Sequence, residues 1–194
     1  MSRRTLRRDT RGVSVVEFAL VIPVFLLLVM GTCDIAYQAY VQAVLTGAVQ
    51  QAARNGTVQN ASTATVDNAV LAQVRATAPQ AAFVSGFPTR KNYTQFGDVG
   101  AEPFVDLNAN GSYNAGECFT DVNENGSWDT DPGSSGQGGA NDVVVYTVSI
   151  TYPRLFPLQT MMGWSANATL NATTMLKNQP YAAQVAKSYP TVCA

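Results

Sequence analysis

Twelve residues in the middle of the chain place oxygen-bearing side chains at intervals suited to holding a hard cation. From Asp106 to Glu117, Asp106, Asn108, Asn110 and Asn114 fall at positions one, three, five and nine. Ser112 supplies a main-chain carbonyl at position seven, Gly111 makes the turn at six, and Glu117 closes at twelve. This is the ligand order of a calcium loop, in which oxygen donors wrap the ion and a final carboxylate seals it. Four residues later the order recurs: Asp121, Asn123, Asn125, Gly126, Ser127 and Asp129. Its twelfth position is Pro132, which leaves Asp131 to close the second loop. An Asn/Gly-rich turn without an ion is the competing account of either loop, and the tandem repetition favours calcium.

The pattern is that of the EF-hand loop without its flanking helices, since only Cys118-Phe119-Thr120 separates the two copies. It resembles the helix-poor calcium loops of bacterial surface proteins. Asparagine at two of the three early positions lowers the ligand charge, which predicts weak, millimolar-range affinity of the extracellular type.

A second chemically loaded position is Glu17. It is the single charge between Val13 and Thr32, a run of apolar residues that would cover the ~30 Å hydrocarbon core of a bilayer as a helix. An ionisable group there is costly unless paired, so it marks a functional position. Five arginines (Arg3, Arg4, Arg7, Arg8 and Arg11) precede the run, and the chain beyond residue 12 carries a net charge of −5. Such a flank holds the N-terminus in the cytoplasm and sends the remainder across. With no aromatic among them, the arginines read as a membrane-orientation signal, not a nucleic-acid-binding segment. The apolar run is longer than a signal-peptide core, and no small-x-small cleavage site follows it, which predicts a retained helix. Gly31-Thr32-Cys33 is likewise a poor match to a lipoprotein site.

The elements that position these groups follow from periodicity. Beyond the span, Val41, Val44, Leu45, Ala48 and Ala52 form an apolar stripe, predicting one helix of roughly forty residues that ends in a left-handed cap at Asn55-Gly56. Pro23 should kink or loosen it. Ser62 is a natural N-cap for a second helix ending before Pro79, with Val66, Val70 and Val74 on one side and Asp67 near its positive end. Residues 83–96 predict one or two short strands, and residues 98–141 form a polar, nearly core-less segment. Strict alternation then marks two long strands. Val144, Tyr146, Val148, Ile150 and Tyr152 form the apolar face of one, and Ala166, Ala168, Leu170, Ala172 and Leu176 that of the other. The two strands and the amphipathic half of the helix should bury one another, giving an α+β fold.

A basic leader ending in Gly12, an apolar helix starting at Val13 and a glutamate five residues into it together resemble the type IV pilin and pseudopilin signature. Within that superfamily the chain is most similar to TadE-like pseudopilins of the tight-adherence (Flp-type) pilus system. Phe18 stands where Flp-type pilins favour tyrosine. Met175-Leu176-Lys177-Asn178-Gln179-Pro180 looks like the arginine-asparagine-glutamate-proline ending common in such proteins, with Gln179 at the usually acidic place. The resemblance implies a pilin-like architecture and cleavage between Gly12 and Val13 by a prepilin peptidase. It implies as partners other pilins or pseudopilins, the assembly platform and the membrane. The freed α-amine of Val13 would be neutralised by Glu17 of a neighbouring helix, because pairing is what makes a buried charge tolerable.

The implied layout is a leader at 1–12, a transmembrane plus amphipathic helix at 13–56, an exported head at 57–180 carrying the loops at 106–131, and a tail at 181–194. An oxidising compartment would permit a Cys118–Cys193 bridge pinning the tail, with free thiols as the alternative. The absence of histidine removes the commonest general base, and no paired carboxylates stand out beyond the loops, so the chain does not read as an enzyme. The other function class consistent with these residues is an unprocessed single-span protein presenting a calcium-dependent adhesive head.

Overall fold

A computed structural model describes residues 13–56, 62–157, 163–179 and 187–193. Gly12, the arginine leader and residues 180–186 lie outside them. Helix α1, Val13–Gly56, is continuous over 44 residues and contains Pro23. At 1.5 Å per residue it is about 66 Å long. Its first half is exposed all round: Val15, Phe18, Leu20, Val24, Phe25 and Leu28 all present side chains outward, as expected of a helix whose solvent is lipid. It is the one helix among the described residues long and apolar enough to cross a membrane.

The second half of α1 is the spine of the head. Val41, Leu45, Ala48 and Ala52 are buried as the stripe requires, and Val49 and Ala53 join them. Val44 sits half-buried at the margin. Asn55 and Gly56 remain helical and neither adopts a left-handed φ, so the cap expected there does not form within α1.

Helix α2, Thr63–Arg75, begins where Ser62 caps it: the Ser62 hydroxyl accepts from the Thr65 amide at 3.4 Å. Val70 and Val74 are buried and Val66 packs against the same core. Asp67 serves the sheet more than its own helix terminus. It takes a two-pronged ion pair from Arg90 (Nη1 to Oδ2, 3.2 Å) and accepts from the Tyr146 hydroxyl at 2.6 Å. The Arg90 guanidinium lies 4.3 Å from the Tyr146 ring centroid.

The main sheet is antiparallel and five-stranded. It comprises β1 (Ala82–Phe83), β2 (Thr89–Tyr93), β4 (Ser134–Ser135), β5 (Val143–Pro153) and β6 (Asn167–Lys177). The two long strands pair along their whole length, from Val143 opposite Lys177 to Pro153 opposite Asn167. β1 and β2 share the other edge of β5, and β4 extends β2. Val144, Tyr146, Val148, Ile150 and Tyr152 of β5 and Ala168, Leu170, Ala172 and Leu176 of β6 form one buried face with α1 and α2. Full burial of each large aliphatic side chain here contributes about 1.5–3 kcal/mol. The alternation works because the strand period of two sends every second side chain to this face.

A second, two-stranded sheet joins β3 (Cys118–Thr120) to β7 (Thr191–Cys193), with Cys118 opposite Cys193. The two cysteines form a disulfide closing a separation of 75 residues. Neither strand carries a periodic signature long enough to be seen in the sequence. Cys33 is free and exposed at the exit of the apolar run.

Candidate functional site

The loops between residues 102 and 131 have a symmetry that begins in the sequence. Glu102-x-Phe104-x-Asp106 is followed fifteen residues on by Glu117-x-Phe119-x-Asp121, and each continues as x-Asn-x-Asn-Gly-Ser-aromatic. In space the two short segments lie antiparallel. Phe104 bridges Phe119, the Val105 amide donates to the Cys118 carbonyl at 2.8 Å, and the Thr120 amide donates to the Pro103 carbonyl at 2.8 Å. Antiparallel pairing sets the start of each segment beside the end of the other, so each glutamate faces the loop that the opposite segment leads into.

The hydrogen bonds repeat accordingly. In the first loop, Glu117 accepts from the Leu107 amide at 3.0 Å and from the Asn114 amide at 2.8 Å. In the second, Glu102 accepts from the Val122 amide at 2.7 Å and from the Asp129 amide at 2.9 Å. These are loop positions two and nine in both cases. Glu102 therefore takes in the second loop the place that Glu117 takes in the first. Asp131, the residue expected to close the second loop, turns elsewhere. Its carboxylate pairs with Lys91 and accepts from the Tyr93 hydroxyl at 2.6 Å and from the Gly133 amide at 3.2 Å. The proline at position twelve has no side-chain oxygen to offer, and a carboxylate from the preceding segment fills the gap. Glu102 and Glu117 are both buried, as is Asp121.

Inside each loop the first aspartate gathers the turn. Asp106 accepts from the Asn110 and Gly111 amides (3.2 and 2.7 Å), and Asp121 from the Asn125 and Gly126 amides (3.1 and 2.7 Å). Asn108 and Asn123 carboxamide oxygens accept from the same position-five amides, and Asn110 and Asn125 from Ser112 and Ser127. Gly111 and Gly126 hold φ of 74° and 77°, the left-handed region where a side chain would be strained, and Ala109 and Glu124 share it. The Gly111 amide is the chief cause that keeps the Asp106 carboxyl below its ordinary pKa. The loops differ at position nine. Asn114 donates to the Ser112 carbonyl, whereas Asp129 accepts from Asn123 and Asn125. By ligand position the first loop thus carries two carboxylates, Asp106 and Glu117, and the second is served by three, Asp121, Asp129 and Glu102, which are not gathered about one point in this structure.

Among the described residues, no three Asp, Glu, Cys or His side chains converge as a metal cluster. A cation in either loop would need the amide and main-chain oxygens as well, which is how loops of this type bind calcium.

The segment also has a core that its polar composition hides. Tyr113 and Trp128, equivalent across the repeat, stack with centroids 4.8 Å apart and planes at 14°. Phe104 and Phe119 meet them edge-on. Trp128 Nε1 donates to the Glu102 carbonyl at 2.9 Å. The fifteen-residue repeat was the sequence signal for both this cluster and Glu102.

At the other end of the chain, Glu17 is exposed in the first described turn of α1, with no side-chain partner among the described residues. Four residues of helix rise put it about 6 Å beyond Val13. The peptide bond expected to be cut joins Gly12, outside the described residues, to the first residue of α1.

The model of the TadE-like protein family matches residues 12–54. That span starts at the glycine before α1 and runs almost to the end of the helix, so the N-terminal region is TadE-like, in agreement with the resemblance read from the leader and Glu17. No curated protein and no solved structure matches the chain.

Proposed function

We infer that this chain is a membrane-anchored minor pseudopilin or pilus-assembly protein of a tight-adherence pilus system. A prepilin peptidase cuts it between Gly12 and Val13, and calcium braces its exported head. The observation that carries the reading is one of register: the TadE-like match opens at Gly12, and the lone charge of the apolar run, Glu17, stands five residues further on. Among described residues Glu17 lacks a partner, and a lipid-facing carboxylate gains most from an ammonium on a neighbouring subunit. The partners are therefore the peptidase, other pilins or pseudopilins, and the assembly platform.

Outside the membrane, the head is held to α1 rather than tethered by a linker, since six residues of the helix belong to its core. Calcium would be held by Asp106, Asn108, Asn110, Asn114, Glu117 and the Ser112 carbonyl in one loop. In the other it would be held by Asp121, Asn123, Asn125, Asp129, Glu102 and the Ser127 carbonyl. The ion would supply charge neutralisation to a segment whose apolar support among the described residues is small: four aromatic rings and Val122.

The test is the N-terminus of the mature protein. Co-expression with a prepilin peptidase should remove residues 1–12, read by intact mass, and Gly12→Leu should block the cut. An uncut wild-type chain would overturn the pseudopilin reading in favour of an unprocessed, membrane-anchored adhesive module.

A further inference from the structure

Contacts along α1 give the height of each part of the head above the apolar run. At the far end, Gln137 Nε2 donates to the Gly56 carbonyl at 2.9 Å; midway, Gln42 Nε2 donates to the Asn171 carbonyl at 2.9 Å. At the near end, Arg154 pairs with Asp34, and the Leu155 amide donates to Asp34 Oδ1 at 3.3 Å. β5 therefore descends toward the span and β6 climbs away from it, and the end of the one and the residues leading into the other meet at Arg154, beside Asp34. Asp34 lies two residues past Thr32, about 3 Å beyond the end of a run that fills the hydrocarbon core. That is headgroup level.

We propose that the described flanks of the β5–β6 connection are a second membrane contact, with Leu155, Phe156 and Trp164 seated at the boundary of headgroups and acyl chains in the leaflet where α1 emerges. This rests on α1 being the span. Leu155 is 51 % exposed although it is a large aliphatic residue next to the core. From Leu155 to Trp164 the sequence has no charged residue. The cation beside these residues, Arg154, is matched by a buried carboxylate and lies 4.9 Å from the Trp164 ring centroid, so the described flanks present no unpaired charge to lipid. Tryptophan at this depth is the side chain that headgroup regions favour, with an apolar body and a polar N–H. Ile35, one residue past Asp34 on α1, is 57 % exposed and adds a second apolar side chain at this height. The occupant is lipid because Asp34 sets the patch at the height where the apolar run of the span ends. Two points of contact, α1 and the turn, would fix the tilt of the head against the bilayer.

The test uses the full chain in phosphatidylcholine vesicles whose acyl chains carry bromine near the headgroup or near the midplane. Trp128→Tyr leaves Trp164 as the sole tryptophan; tyrosine is chosen because Tyr113 fills the equivalent place in the first loop. The difference between wild type and Trp164→Phe gives the same signal without altering Trp128. Trp164 should emit at shorter wavelength than in water and lose most intensity to the shallow bromines. A reporter in the span, Phe25→Trp with Trp128→Tyr and Trp164→Phe, should be quenched most by the deep ones. Quenching of the span reporter with none of Trp164 overturns the proposal and leaves the span intact, as when the turn packs against a second copy of the chain. Quenching of neither overturns both. Leu155→Asp should reduce the shallow quenching of Trp164.

Discussion

Glu102 is the residue whose substitution tests the paired-loop geometry most directly. Its buried carboxylate accepts from two amides, Val122 and Asp129. Glu102→Ala would leave both donors without an acceptor, at about 1–3 kcal/mol each, or about 2–6 kcal/mol in all. Glu102→Gln keeps one acceptor oxygen and so separates the loss of charge from the loss of packing. With calcium at ten times the dissociation constant, one site adds about 1.4 kcal/mol to unfolding, and two independent sites about twice that. In a chain of this size 1 kcal/mol moves the melting temperature by roughly 2–4 °C. Wild type in detergent micelles should therefore gain about 6–11 °C at roughly 10 mM calcium, given millimolar-range affinity. Glu102→Gln should lose about half of that gain, Glu117→Gln the other half, and Asp131→Ala essentially none. Three carboxylates against two further predict that the second loop binds more tightly, so Glu102→Gln should abolish the response seen at the lowest calcium. The reasoning is refuted if Asp131→Ala abolishes the shift while Glu102→Gln preserves it. No shift in wild type would remove calcium altogether.

Other perturbations probe how the head is held. Replacing Cys118 and Cys193 together by serine frees a closed loop spanning a separation of 75 residues, and should cost about 2–4 kcal/mol in urea unfolding, with reductant abolishing the difference from wild type. Asp34→Ala removes the carboxylate from Arg154, which keeps only neutral acceptors at Ser165 and Gln38, and should cost up to about 3 kcal/mol, with proteolysis between β5 and β6 rising in parallel. Protection equal to wild type would show that the pair does not hold the turn. Burial, and then the hydrogen bond to Asp67, raise the Tyr146 hydroxyl above its ordinary pKa of 10.0. Its contribution is thus complete below pH 10 and lost as pH climbs toward the folded-state value, because the folded state binds the extra proton. Tyr146→Phe should flatten this alkaline loss in urea titrations at rising pH, and an unchanged slope would disprove the contribution.

Much of this molecule is local, and local order is legible. A twenty-residue, largely apolar run makes a span whatever follows it, and Val41, Leu45, Ala48 and Ala52 share a helical face by the period of the helix alone. The alternation of β5 and β6 needs only the pleat. Gly12, Val13 and Glu17 are a matter of spacing along one strand of chain, so their register was readable before any folding. What the tertiary structure decided is everything that joins distant positions. Asp131 was the nearest acid in sequence to an unclosed loop, but antiparallel pairing of Phe104 with Phe119 carries Glu102 to the second loop and leaves Asp131 to Lys91 and Tyr93. The same pairing gathers four aromatics, spread over 25 positions of polar sequence, into one cluster. Cys193 met Cys118 only because β7 returned to β3, and Arg154 found Asp34 only because β5 runs toward the span. Periodicity reports which side of an element faces inward; which element it then meets depends on the path of the whole chain.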